Sequence, residues 1–228
     1  MEEMTTVGRI AIWALPVLFA ITLHEVAHGW VAKLLGDRTA ERLGRLSLNP
    51  INHVDPVGTL LVPGLLLLFS NFIFGWAKPV PVDWGKLRRP KRDVGLVAVA
   101  GPAANLLMVL FWIALAKLAI VMNLPLVSRP LAFMAAAGIF INSALMLLNL
   151  LPIPPLDGGR ILGSLLPPKW ASQYALIEPY GMLILVVLIA TNLLALILHT
   201  PMNLVLALSL ELAGIPPGVL FQLLGSGA

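Results

Sequence analysis

Residues Ile21-Thr22-Leu23-His24-Glu25-Val26-Ala27-His28-Gly29 set two imidazoles and a carboxylate inside an otherwise apolar run. Coiled as a helix, the run puts His24 and His28 one turn apart on one face, near enough to share a tetrahedral metal ion. Glu25 lies beside them, placed to take a proton from water that the metal activates rather than to bind the metal. An H-E-x-x-H match also arises by chance on ordinary soluble helices. Ionisable groups inside a membrane helix are costly, however, and mark function by default. The flanking apolar sequence, residues 7 to about 35, is long enough to be such a helix.

Composition points the same way. Of 228 residues, 59% are hydrophobic and only 11% charged, with a mean hydropathy of +0.93. No soluble core needs that much apolar surface, so the chain reads as an integral membrane protein with several spans. It has no cysteine, which excludes a disulfide framework and a thiolate zinc site and leaves His, Asp and Glu as metal ligands. The sequence pI is about 9.8, yet the basic residues are badly distributed for nucleic acid. Ten of the fifteen Lys and Arg fall in two loops, 33–45 and 78–92. Such juxtamembrane clusters read first as cytoplasmic anchors against anionic lipid. Glu2 and Glu3 make a poor start for a cleaved signal, so the first apolar run is read as a retained helix.

The first span, 7 to about 35, ends at Gly36 and the Asp37-Arg38 pair. His28 then sits roughly 12 Å in from that end. Lys33, Arg38, Arg42 and Arg45 make that face cytoplasmic. Residues 40–56 alternate weakly and are punctuated by Pro50 and Pro56, suggesting short strands and turns. Gly58–Trp76 is apolar, with Pro63-Gly64 at its middle and a basic loop on either side. The charge rule favours a re-entrant loop there over a plain span. Irregular backbone at that depth survives against protein or a water-filled cavity, which would place the loop beside the metal site. Residues 74–82, with Pro79 and Pro81, read as an extended edge to which a substrate can add as a strand. Trp76, Lys78, Val80 and Val82 are therefore candidate substrate-binding residues. His53, in a loop near the same face, is a candidate to approach the metal.

Asp93 to about Met122 is the next span and carries Gly101-Pro-Ala-Ala-Asn105. Asn105 suits either a packing hydrogen bond between helices or a place in the site. Pro130–Leu151 returns and ends in Asn149-Leu-Leu-Pro152-Ile-Pro154-Pro155-Leu-Asp157-Gly-Gly-Arg160. The prolines stop the helix, and Asp157 opens another at about the depth of the first motif. A lone buried carboxylate is expensive, and two His need a third protein ligand to build a catalytic zinc site. The alternative is that Asp157 merely caps the helix starting at Gly158. Tyr180 to about His199 reads as a further span, and Pro201–Leu224 as a last apolar stretch. The expected fold is an all-α polytopic membrane protein. It has about five to six membrane segments and a re-entrant or short β region between the first two core spans. One membrane domain fills 1–228, with a core at about 7–166 and C-terminal helices at about 174–225.

His24-Glu25-x-x-His28, Gly101-Pro-x-x-Asn105 and Asn149-x-x-Pro-x-Pro-x-Leu-Asp157-Gly-Gly together resemble the site-2 protease family of intramembrane zinc metalloproteases. They occur in family order over about residues 20–165, as in the minimal prokaryotic branch without a PDZ or CBS domain. The resemblance implies one zinc per chain held by His24, His28 and Asp157, with Glu25 as general acid and base. It implies that Asn149 contacts substrate or the oxyanion. Parts of 40–56 and 74–83 would be strands that hold substrate extended. It further implies a multi-pass protein of the cell membrane, an active site towards the cytoplasm and single-pass membrane-protein substrates. The bilayer is its other partner; no nucleic acid and no particular oligomeric state are implied. A membrane metal-ion transporter or channel using the His/Asp cluster is the competing reading. There Glu25 has no task, and no chain of acidic residues leads across the membrane.

Overall fold

The apolar N-terminal run forms one helix, α1 (Thr6–Leu34), about 44 Å long and so longer than a hydrocarbon core of about 30 Å. It belongs to a computed structural model that describes residues 6–53, 55, 78–122 and 124–224. The expected re-entrant stretch 58–76, with Trp76, lies outside the described residues.

After α1 the chain turns at Gly36, whose φ of 119° is open to glycine but strained for other residues. Asp37 then starts the short α2 (Thr39–Arg42), its Oδ1 accepting from Thr39 N at 2.9 Å and Thr39 Oγ1 at 2.5 Å. A 3-10 turn follows at Pro50–His53. The strands expected in 40–56 do not form in 40–53, and no strand occurs among the described residues. Local side-chain bonds set the backbone instead. Ser47 Oγ accepts from Asn49 N and Asn49 Oδ1 from Ile51 N, both at 3.1 Å, and such bonds compete with a ladder. Residues 78–83 lack regular structure and lead into a 3-10 turn at Trp84–Lys86.

Helix α3 (Pro90–Met122) is tied at its start by Asp93, which accepts from Arg89 N at 2.8 Å. Helix α4 (Pro125–Asn149) begins at Pro125 rather than at the expected Pro130, since proline fits a first turn. These two helices and α1 form the packed centre. Trp112 of α3 is 1% exposed and lies on the Ala135-Ala136-Ala137-Gly138 stretch of α4. A Cβ at Gly138 would stand 2.5 Å from Trp112 Cγ, so only a small stripe lets the helices approach this closely.

Helix α5 (Asp157–Leu165) packs on α3, and α6 (Pro168–Ala175), a 3-10 turn and α7 (Gly181–Ala190) follow. Then come α8 (Leu193–Ala213), which packs on α3 and α4, and α9 (Pro217–Leu224). The break between the last long segments falls at Thr191-Asn192, not near Pro201 as the sequence suggested. Asn192 takes the left-handed conformation, φ 57°, which asparagine tolerates. Pro201 rides inside α8, as prolines do in membrane helices. Five helical segments among the described residues are long and apolar enough to cross a membrane: Ile10–Leu34, Pro90–Met122, Val127–Asn149, Pro168–Ala190 and Leu193–Ala213. The all-α polytopic membrane fold stands.

Candidate metal centre

Two helix faces and one helix start converge on a single point. His24 and His28 project from α1, and Asp157 opens α5 immediately after the Pro152–Leu156 turn. Asp157 Oδ2 lies 3.3 Å from both His24 Nε2 and His28 Nε2. The two Nε2 atoms are 3.1 Å apart.

That short nitrogen–nitrogen distance is not a hydrogen bond, because the far side of each ring fixes where its proton sits. His28 Nδ1 is 2.7 Å from the Val97 carbonyl, which can only accept, so Nδ1 carries the proton. For His24 the argument takes one more step. Asn142 Nδ2 donates to the Gly138 carbonyl at 2.8 Å, which leaves Asn142 Oδ1 to accept from Asn105 Nδ2 at 3.0 Å. Asn105 Oδ1 therefore faces His24 Nδ1, at 2.6 Å, and accepts its proton. In the neutral rings that metal binding requires, both Nε2 atoms are thus bare lone pairs aimed at each other and at a carboxylate oxygen. Asp157 Oδ2 is buried, and no hydrogen-bond donor among the described residues faces it. Three such acceptors repel unless a cation lies among them. A tetrahedral zinc with bonds of about 2.0–2.1 Å spaces its ligands about 3.3 Å apart, and the donor set fits it. Imidazoles oriented from behind in this way are the usual outer support of a zinc site.

Glycines let the parts meet. A Cβ at Gly101 of α3 would overlap His28 Nε2 and lie 2.6 Å from His24 Cε1. Gly158 sits on the Leu150 and Leu151 carbonyls, and a Cβ at Gly159 would lie 2.5 Å from Pro154 N. The Asp157-Gly-Gly sequence is therefore what lets α5 start against the end of α4.

Glu25 does not join the three ligand atoms. Its Oε2 accepts from Val80 N at 2.7 Å, so the stretch after residue 78 reaches the centre through a backbone N–H. The Val80 side chain is buried against Gly29, and Val82 packs with Ala32, Leu87 and Val97. The Val80 side chain thus faces the protein, while Val82 is only partly buried. Lys78 is exposed, with its N–H on the His53 carbonyl at 2.9 Å. His53 is buried with Nε2 2.8 Å from Ser47 O and stands outside the metal cluster. Asn105 is fully buried and bonds to His24, so it acts on the ligand. Asn149 Nδ2 donates within its own helix, to Leu145 O at 3.0 Å. The sequence reading missed Asn142, whose only signal is a polar Asn142-Ser143 pair in an apolar span.

The model of Peptidase family M50 matches residues 113–191, a range that includes Asn149 and Asp157. The chain is 37% identical over 190 residues to YwhC of Bacillus subtilis (strain 168), whose name assigns it as a zinc metalloprotease. That match covers 82% of this chain and 84% of the relative. Rip2 of Mycolicibacterium smegmatis, likewise named as a zinc metalloprotease, is 32% identical over 175 residues, or 76% of this chain and 64% of Rip2. Rip2 of Mycobacterium tuberculosis (strain H37Rv) is 29% identical over 171 residues, or 75% and 63%. No solved structure matches the chain.

Proposed function

Because the chain belongs to Peptidase family M50 and is a zinc metalloprotease, we propose that it cleaves peptide bonds in or near the transmembrane segments of single-pass membrane proteins. One observation carries the reading: the three ligand atoms and Glu25 lie among helices long and apolar enough to span a bilayer. The basic loops after α1 and before α3 support an active site that opens towards the cytoplasm.

When held by His24, His28 and Asp157, zinc supplies Lewis acidity that acidifies water and polarises a carbonyl. The protein's own part is to move the proton. Glu25 takes it from the attacking water, whose oxygen bonds to the peptide carbonyl carbon. As the carbon–nitrogen bond breaks, Glu25 hands the proton to the departing amine. Asn105 and the Val97 carbonyl hold the imidazoles with their lone pairs towards the metal throughout. A substrate helix must unwind locally before its carbonyl is exposed.

The test uses detergent-purified protein and a quenched-fluorescent transmembrane peptide, Lys-flanked Leu/Ala with a central Gly-Ser step. Wild type is expected to carry about one zinc per chain and to cleave the peptide. His24→Ala and Asp157→Ala lose both, while Glu25→Gln keeps zinc and loses cleavage. Cleavage that persists in Glu25→Gln overturns the mechanism.

A further inference from the structure

The catalytic description leaves the buried acids Asp37 and Asp93 unused, and Asp93 is spent on the start of its own helix. Asp37, three residues past the end of α1, is 1% exposed, and no Lys or Arg forms a direct ion pair with it among the described residues. Its acceptors are filled by neutral donors. Oδ1 takes Thr39 N and Thr39 Oγ1, and Oδ2 takes Asp83 N at 2.8 Å. A buried carboxylate spent on backbone donors fixes whatever carries them. Here it joins the end of α1 to the stretch 78–83, which is far away in sequence.

That stretch has its other end in the metal centre. Val80, three residues before Asp83, donates its N–H to Glu25 Oε2 at 2.7 Å. Pro79 and Pro81 flank it and carry no N–H of their own. The contact between the stretch and α1 is close, since a Cβ at Gly29 would lie 2.7 Å from Val80 Cγ1. Glu25 and Asp37 are thus both on the α1 side and both grip the same short segment.

We propose that Asp37 is a positioning residue for Glu25: by holding Asp83 N–H it clamps the 78–83 segment so that Val80 N–H fixes the Glu25 carboxylate for proton transfer. This rests on Glu25 as the proton carrier. The segment is then a brace for the acid/base group, besides any part it plays in receiving substrate. A misdirected carboxylate costs turnover, whereas a lost substrate edge costs binding.

Three measurements on the full chain test it. Hydrogen exchange of the peptide covering 78–84 is expected to show a protected Val80 amide in wild type. In Asp37→Ala that protection is lost while α1 and α3 stay protected. With the transmembrane peptide above, Asp37→Ala lowers kcat about 10- to 100-fold, the scale of a small misplacement of a reacting group. KM changes little and the zinc content not at all. The chain has no native cysteine, so Asp37→Cys/Asp83→Cys restores the tie only when oxidised, and kcat recovers on oxidation and falls on reduction. Unchanged kcat in Asp37→Ala, or a rise in KM alone, overturns the inference and leaves the protease reading intact. A wild type that holds zinc yet cleaves nothing overturns the protease reading, whatever the exchange shows.

Discussion

Asn142 and Asn105 are hydrogen-bonded side chain to side chain at 3.0 Å, and this bond helps fix the His24 proton on Nδ1, leaving Nε2 bare towards the metal. The Gly138 carbonyl behind Asn142 and the Ala20 carbonyl, 3.3 Å from Asn105 Nδ2, both make the chain of donors run one way. Asn142→Leu removes the shorter of the two bonds that orient the Asn105 amide and leaves it only the 3.3 Å bond to the Ala20 carbonyl. Zinc affinity is expected to fall about 10- to 100-fold, as for other lost outer partners of metal ligands. Competition with a chromophoric chelator measures it, and unchanged affinity would show that the Ala20 carbonyl is enough to hold Asn105.

Gly101→Ala is expected to empty the site without unfolding the chain. In a helix interior this exchange ordinarily stabilises by about 0.5–1 kcal/mol. Here the added methyl meets His28 and His24, so the rings must move. Elemental analysis should show zinc lost while the helical circular dichroism is kept. Full zinc content would mean that α1 and α3 separate easily.

Gly29→Ala addresses the brace from the opposite side. Its methyl would lie 2.5 Å from Leu46 Cδ2 and 2.7 Å from Val80 Cγ1. The leucine tip can swing aside, but the valine is branched next to its backbone and carries the Val80 N–H away with it. Turnover is expected to drop with zinc content kept, read in the same peptide assay. Full turnover would show that the segment follows α1 as a unit.

Acid should weaken the Asp37 clamp in a definite window. Burial pushes the Asp37 carboxyl up, but the Thr39 hydroxyl and the Asp83 and Thr39 amides outweigh it and hold the pKa below the usual carboxylate range. A depressed folded pKa gives stability that is complete above the unfolded value of about 3.9 and lost as pH falls through the folded one. The difference in thermal midpoint between wild type and Asp37→Asn is therefore expected to be flat from pH 7 to about 5 and to shrink below about 4. A difference that grows on acidification contradicts it.

Much of the centre was legible because each of its groups interrupts an apolar run. His24, Glu25 and His28 have few innocent reasons to sit in a lipid-length helix, and Asp157 few to open a helix in apolar sequence just after three prolines. The reach of the two asparagines was not legible. Asn142 looks like any packing residue until the helix pairing puts Asn105 across from it. Asp37 reads as a charge that ends a helix, and only the fold brings Asp83 to it. The strands expected in 40–56 failed for a local reason: Asp37, Ser47 and Asn49 bond to nearby backbone and bend it into turns. The weak alternation there had no power to oppose them. At Pro201 the error was to treat a membrane helix as a soluble one, where proline stops the chain.

The ligand set spans the order in which the chain is made. Asp157 follows His28 by 129 residues, on the order of ten seconds of synthesis at typical rates. In that interval α1 already carries its two imidazoles, but Val97, Asn105 and Asn142, which aim them, arrive in turn on α3 and α4. Tight capture of zinc therefore waits until the helices have docked and the last ligand is in place. An arrested fragment ending short of Asp157 lacks the third ligand of the centre.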